Sequence, residues 1–140
     1  MFRDIKDRLD SPAVRQILAE CVFDDSPEGI AGAVAAYRRH AGWQFYGWME
    51  EGTVLGVCGF EAHADYVEII DISVAGQARG RGIGSAMVAA LQEKYNMPVG
   101  AETGDGAVGF YRKCGFAATE IRKYGVRRWA CVLPAPEREA

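Results

Sequence analysis

Residues 77–85 read Gln-Ala-Arg-Gly-Arg-Gly-Ile-Gly-Ser, with two arginines, three glycines and no acid, and an amphipathic stretch follows at once. A helix begun here exposes main-chain N–H groups in its first turn that have no partner inside the helix. Ser, Thr, Asp or Asn ordinarily caps such a start, and an acidic cap is missing from this one. Glycine admits left-handed angles and lets another group come close to the backbone. Successive amides then form an anion-binding nest, to which the helix dipole adds positive potential. The arginines add fixed charge. The predicted cap is an external anion such as a phosphate, held by Arg79, Gly80, Arg81, Gly82, Ile83, Gly84 and Ser85. Two other nucleotide motifs fail: a dinucleotide fingerprint starting at Gly80 needs glycine where Ser85 stands, and no Gly-Lys-Ser/Thr loop occurs.

The elements that must position this loop follow from apolar spacing. Residues 2–5 read as a short edge strand. Ser11-Pro12 and Ser26-Pro27 are two helix starts, with serine as N-cap and proline at the first helical position. Val14, Ile17, Leu18 and Cys21 recur at helical spacing after the first start, and Ile30, Val34 and Tyr37 after the second, with Gly42 as its stop. Strands over 43–49 and 53–61 flank Glu50-Glu51-Gly52, a hairpin signal. The strand over 66–74 is nearly all apolar after Glu68, which predicts burial on both faces. After the loop, Ile83, Met87 and Leu91 mark a helix at four-residue steps. A strand over 98–103, a short helix over 105–113 and a strand pair over 116–121 and 127–133 complete the order, and the tail 134–140 is expected to fray. The predicted fold is one α/β domain over residues 1–140, with a mixed, mainly antiparallel sheet and helices on both faces. Residues 66–103 are a right-handed crossover candidate with parallel flanking strands.

Composition narrows the function classes. With 140 residues, 49% hydrophobic and 25% charged, the chain can bury a core without staples. No apolar run is long enough to span a bilayer, and the N-terminus MFRDIKDRLD is too charged for a signal peptide, so a cytoplasmic protein is expected, with no membrane partner. Cys21, Cys58, Cys114 and Cys131 are widely spaced and form no C-x-x-C pair, against a disulfide framework and a zinc site. Three of them read as small buried hydrophobes, and Cys114 lies in a polar stretch as a packed free thiol. His40 and His63 stand alone in polar contexts and read as surface residues, so no metal is expected. Net charge is −3 and no basic stripe carries interleaved aromatics, which excludes nucleic acid and suits a cationic small substrate.

With these residues in place, residues 79–84 match the R/Q-x-x-G-x-G/A motif of the GNAT superfamily of N-acetyltransferases. Ile72-Ser73-Val74 resembles that family's cofactor strand, and Ala107-Val108-Gly109-Phe110-Tyr111-Arg112-Lys113-Cys114-Gly115-Phe116 resembles its second cofactor motif. The resemblance covers residues 54–133 well and the N-terminal helices loosely. It implies acetyl-CoA as cosubstrate, its pyrophosphate on the amides of residues 79–85 and its pantetheine arm paired along Ile72, Ser73 and Val74 like an added strand. The Val74 amide would polarise the thioester carbonyl, and Phe110 would supply an apolar anchor. This strand and that over 98–103 would splay, and the cofactor would enter between them. Tyr111 would protonate or stabilise the departing thiolate. In one departure, Gly104 stands where the family often has Asn, with Asp105 beside it as a substitute.

The base that neutralises the attacking amine is read as Glu68 first and Asp71 second. Their separation of three places them on opposite faces of a regular strand. Asp24, Asp25 and Glu28 lie between the first two helices, in the region that lines the acceptor site in the resembling family. Trp43, Phe45 and Trp48 read as core aromatics. The function expected is transfer of an acetyl group to a primary amine of a small molecule or an amino terminus. The alternatives are a non-catalytic acyl-CoA sensor or regulatory module of the same fold, and another nucleotide-binding protein. Exposed sheet edges leave room for a homodimer.

Overall fold

The computed structural model describes residues 1–137. Its elements run β1 (Phe2–Asp4), a 3-10 turn (Lys6–Arg8), α1 (Pro12–Ala19), α2 (Pro27–Arg39), β2 (Trp43–Glu50), β3 (Thr53–Ala62) and β4 (Val67–Val74). A second 3-10 turn (Gly76–Ala78), α3 (Ile83–Tyr95), β5 (Val99–Thr103), α4 (Val108–Lys113), β6 (Ala117–Lys123) and β7 (Val126–Leu133) follow. The expected fray at 134–140 falls partly on residues 138–140, which lie outside the described residues. No helix among the described residues is long and apolar enough to cross a membrane.

The two serine starts form as read. Ser11 Oγ accepts from the Val14 N–H at 3.4 Å and Ser26 Oγ from the Gly29 N–H at 3.1 Å, each followed by proline in the first turn. The hairpin between β2 and β3 closes through Glu51 and Gly52, both at positive φ, the mirror-image turn that matches strand twist. The short helix before β6 begins three residues later than expected, at Val108.

All seven strands join one sheet in the order β1-β2-β3-β4-β5-β7-β6, and only β4 and β5 run parallel. This is the mixed sheet with helices on both faces that the pattern predicts. Gly56 and Gly59 show how tightly the helices pack. A Cβ on Gly56 would stand 2.9 Å from Met87 Cε of α3, and one on Gly59 would stand 1.6 Å from the Tyr37 hydroxyl of α2. Three residues apart on a regular stretch of strand, they face opposite ways. So α3 covers one face of the sheet and α2 the other. The core between these layers is built from Phe45, Val57, Phe60, Val67, Met87 and Leu91, all fully buried, with Tyr37 among them.

Two irregularities in the centre of the sheet prepare the site. The parallel pairing of β4 with β5 extends over only Val67↔Val99 and Glu68↔Gly100 before the strands part. Opposite β3, the register jumps from Phe60↔Ile69 to Gly59↔Asp71, so Ile70 is an extra residue, a β-bulge. Burial of β4 on both faces is therefore corrected. Val67 and Ile69 are buried, but residues 70–74 are only half-buried because β5 has diverged and a cavity opens beside them.

Candidate functional site

The parting of β4 and β5 opens a cavity of about 1220 Å³ that runs to the start of α3. Typical small-molecule pockets hold roughly 300–1,000 Å³, so this one has room for two reactants. Ile72, Ser73 and Val74 form one wall, and Arg79, Gly80, Gly82, Ile83, Gly84 and Ser85 form its end at the glycine-rich loop. Phe110 and Tyr111 of α4 face it from the side of β5.

The loop is built as its composition demands. Gly80 and Gly82 have φ of 80° and 78°, in the left-handed region that glycine adopts without strain. Gly82 is the N-cap of α3 and offers no side chain to its first turn, and the first bond of the helix is Ala86 N–H to the Gly82 carbonyl at 2.9 Å. Six consecutive main-chain N–H groups, from Gly80 to Ser85, have no protein acceptor among the described residues. A Cβ at Gly80 or Gly82 would meet nothing within 4 Å, so the approach to these amides is open. Gly84 has a different task. A Cβ there would stand 2.7 Å from Phe110 Cε1, so this glycine lets α4 close against α3.

The two arginines separate. Arg79 lines the cavity, donates to the Glu20 carboxylate at the end of α1, and places Nε 3.4 Å from the Val74 carbonyl. Arg81 is not among the lining residues. Its guanidinium donates to both oxygens of Glu50 on β2, at 2.9 and 2.8 Å. Both ion pairs are largely solvated and worth little on their own.

The edge of β4 toward the cavity pairs with no strand beyond Glu68. Ala75 donates its N–H to Leu55 of β3 at 2.8 Å. Main-chain groups of successive residues alternate between the two edges of a strand. Ile72 and Val74 therefore turn their N–H and carbonyl groups toward the edge that β5 has left.

The acids are sorted by the bulge. Without it Glu68 and Asp71 would face opposite ways. With Ile70 inserted they stand across from Glu61 and Gly59, two residues apart on β3 and so on one face, which corrects the opposite-face expectation. They still reach different surroundings. Glu68 lies outside the cavity, 3.0 Å from His63 Nε2, with Glu61 also near that ring at 3.7 Å. These three groups are the one cluster among the described residues with ligand atoms close enough for a metal ion. Asp71 lines the cavity instead, and Tyr37 donates its hydroxyl to Asp71 Oδ2 at 2.6 Å. Burial pushes the Asp71 carboxyl above the usual carboxylate range, and the Tyr37 bond offsets part of that rise. Gly59 makes the arrangement possible, since any side chain there would occupy the Tyr37 hydroxyl.

Tyr111 is 6% exposed, packed against Phe110 and Phe116 with ring centroids 5.2 and 5.1 Å away. No buried side-chain oxygen is left without a partner among the described residues, and no protein group bonds this hydroxyl. The hydroxyl is therefore the part of Tyr111 that opens to the cavity. Burial pushes its phenol upward, so it stays protonated through the neutral range.

Other expectations move. Asp105 does not stand in for a side chain at Gly104. It is tied to Arg127 at 2.9 Å and to Trp129 Nε1 at 2.7 Å, and α4 starts without a side-chain cap. Asp24 accepts from the Ser26 N–H and, like Asp25 and Glu28, does not line the cavity, whereas Glu20, Cys21 and Phe23 of the same region do. Phe45 is core, but Trp43 reaches the cavity along with Tyr37. Glu102 and Arg128 line it too, and nothing in their spacing along the chain marked them.

The comparisons with known proteins agree with this geometry. Among curated proteins, none matches the chain in sequence. The ribosomal-protein-S18-alanine N-acetyltransferase from Escherichia coli superposes with a TM-score of 0.75 at 17% identity, over 99% of this chain and 96% of that one. The IAA acetyltransferase from Bacillus cereus gives 0.63 at 25% identity, over 95% and 99%. A GNAT family acetyltransferase from Elizabethkingia anophelis, solved with acetyl-CoA bound, gives 0.63 at 18%, over 85% and 88%. The model of the acetyltransferase (GNAT) family matches residues 11–116, from the cap of α1 through the parted strands and the phosphate loop to the end of the second motif, and the chain belongs to that family.

Proposed function

We propose that the protein is an N-acetyltransferase that moves the acetyl group of acetyl-CoA to a primary amine, on a small molecule or an amino terminus. The observation that carries this reading is the run of unpartnered N–H groups from Gly80 to Ser85, all but Arg81 on residues that line the same cavity as Tyr111 and Asp71. Acetyl-CoA supplies an activated acyl group on a thiol leaving group. The amides of residues 80–85 hold its pyrophosphate, with Arg79 able to leave Glu20 for a phosphate oxygen. The edge of β4 left by β5 pairs with the pantetheine amides, and the Val74 N–H polarises the carbonyl that the amine attacks.

Two side chains handle protons. Asp71, the second choice from sequence, is the base we favour because it lines the cavity and its raised pKa brings it nearer to that of the amine it must neutralise. Glu68, the first choice, points into the His63 cluster outside the cavity. Tyr111 keeps its proton and gives a hydrogen bond to the sulfur as the carbon–sulfur bond breaks. Holding both reactants together in a cavity of this size contributes the orientation term.

The test is a thiol-release assay with acetyl-CoA over a panel of amine classes, alongside a thermal-shift titration with acetyl-CoA. Stabilisation by acetyl-CoA and thiol release that depends on the amine are expected. Stabilisation with no release on any amine would instead favour the non-catalytic acyl-CoA sensor.

A further inference from the structure

The cavity is walled by charges that do not cancel each other locally. Asp71 has a phenol as its only hydrogen-bond partner among the described residues. The other titratable groups that bear on it, the Cys21 and Cys58 thiols and the Tyr111 phenol, are pushed upward by burial and stay neutral. No cation faces it. The opposite imbalance sits across the parted strands. Glu102 is shared by two cations, Lys123 Nζ at 2.9 Å and Arg128 Nε at 3.3 Å. One carboxylate against two cations leaves a net positive wall. The terminal nitrogens of Arg128 have no protein acceptor among the described residues, and Nη1 lies 3.4 Å from where a Cβ on Gly104 would stand. Gly104 itself places no side chain beside this guanidinium.

Both groups also belong to one face of the sheet. Trp129 carries the Arg112 guanidinium of α4 over its ring at 4.8 Å, so it faces the α4 side, and its neighbour Arg128 faces the other. That other face is the one that Tyr37 of α2 reaches at Asp71. Along this face lie one unmatched carboxylate and one half-matched guanidinium fork, bordering a single cavity.

We infer that the acceptor is a zwitterion, a free amino acid or an aminocarboxylate of similar size, whose amino group meets Asp71 and whose carboxylate meets Arg128. The inference rests on the acetyl-transfer reading and names the substrate class of the same site. A simple amine would satisfy Asp71 and leave Arg128 idle. A dipolar acceptor satisfies both, and the planar guanidinium matches a carboxylate in two-point geometry.

The test compares free amino acids with their carboxamides, which keep the amine and lose the negative charge. KM is measured by thiol release, and Kd by calorimetry in the presence of coenzyme A. Free acids are expected to bind about tenfold or more tightly than the amides, the size of a charge-assisted hydrogen bond. Arg128→Gln should erase that preference by weakening the acids alone, while Arg128→Lys keeps part of it. Glu102→Gln, which frees the guanidinium, should widen it. Lys123 still pairs Glu102 in Arg128→Gln, so the fold has no new buried charge to lose. Amides that equal the acids in both measurements, with thiol release intact, would overturn this inference and leave acetyl transfer standing. Absence of thiol release with every amine would overturn the acetyl-transfer reading, and calorimetry would then decide carboxylate recognition by itself.

Discussion

Tyr37→Phe removes one oxygen and tests the central pairing of the site. That hydroxyl donates to Asp71 at 2.6 Å, and Tyr37 is 0% exposed, wedged edge-on between Trp43 and Phe45. Asp71 has a folded pKa above its unfolded one, chiefly through burial, with the Tyr37 bond acting in the opposite direction. Folding thus favours the protonated carboxyl. This contribution to stability is fully present below the unfolded value and is lost as pH rises through the folded one. Removing the donor raises the folded pKa further and extends the loss to higher pH. The variant should therefore cost about 0.5–1.5 kcal/mol near pH 4, where a neutral bond is lost, and about 1.5–3 kcal/mol near pH 8, where a charge-assisted one is lost. At roughly 4 °C per kcal/mol for a chain of this length, the fall in Tm grows from about 2–6 °C to about 6–12 °C between those conditions. In the same variant the acid limb of the pH profile of kcat/KM should move to higher pH, with the plateau above it nearly retained. A Tm difference that stays constant with pH, together with an acid limb that does not move, would refute an ionised Asp71 beside Tyr37.

Tyr111→Phe should lower kcat about a hundredfold while KM for acetyl-CoA changes by less than about twofold, since the ring packing survives and only the donor to sulfur is lost. Steady-state thiol release reads both. Gly84→Ala puts a methyl 2.7 Å from Phe110 Cε1, so α4 must shift. Overpacking of this kind costs about 1–3 kcal/mol, and a denaturant melt and a weakened Kd for coenzyme A should both show it. Glu68→Gln should leave the acid limb of the profile in place, because the group it alters lies with His63 outside the cavity. A shifted limb would return the base to Glu68.

Much of the architecture was legible because it depends on short-range rules. Serine followed by proline twice marked helix starts, four-residue steps marked α3, and Glu50-Glu51-Gly52 marked a turn that needs positive φ. The uncapped glycine-rich start of α3 was legible for the same reason. Its glycines and missing cap describe a helix start whose amides nothing local satisfies, and the fold leaves those amides unpartnered.

The rest needed strand register and packing between distant segments. The faces of Glu68 and Asp71 depend on one extra residue in β4, and a bulge is defined by the partner strand rather than by the strand itself. Arg81 looked like part of the phosphate cradle, but Glu50, 31 residues away, draws its guanidinium outward. Asp105 turned to Arg127 and Trp129 on a strand not yet formed when its own neighbours are read. Tyr37 and Arg128 reach the cavity only because α2 packs on Gly59 and β7 inserts between β5 and β6. Periodicity, caps and glycine positions thus determined the elements and the glycine turn with its unpartnered amides. Which acid, which aromatic and which cation meet in the cavity was decided by tertiary structure, because side-chain direction in a sheet is set by pairing between strands.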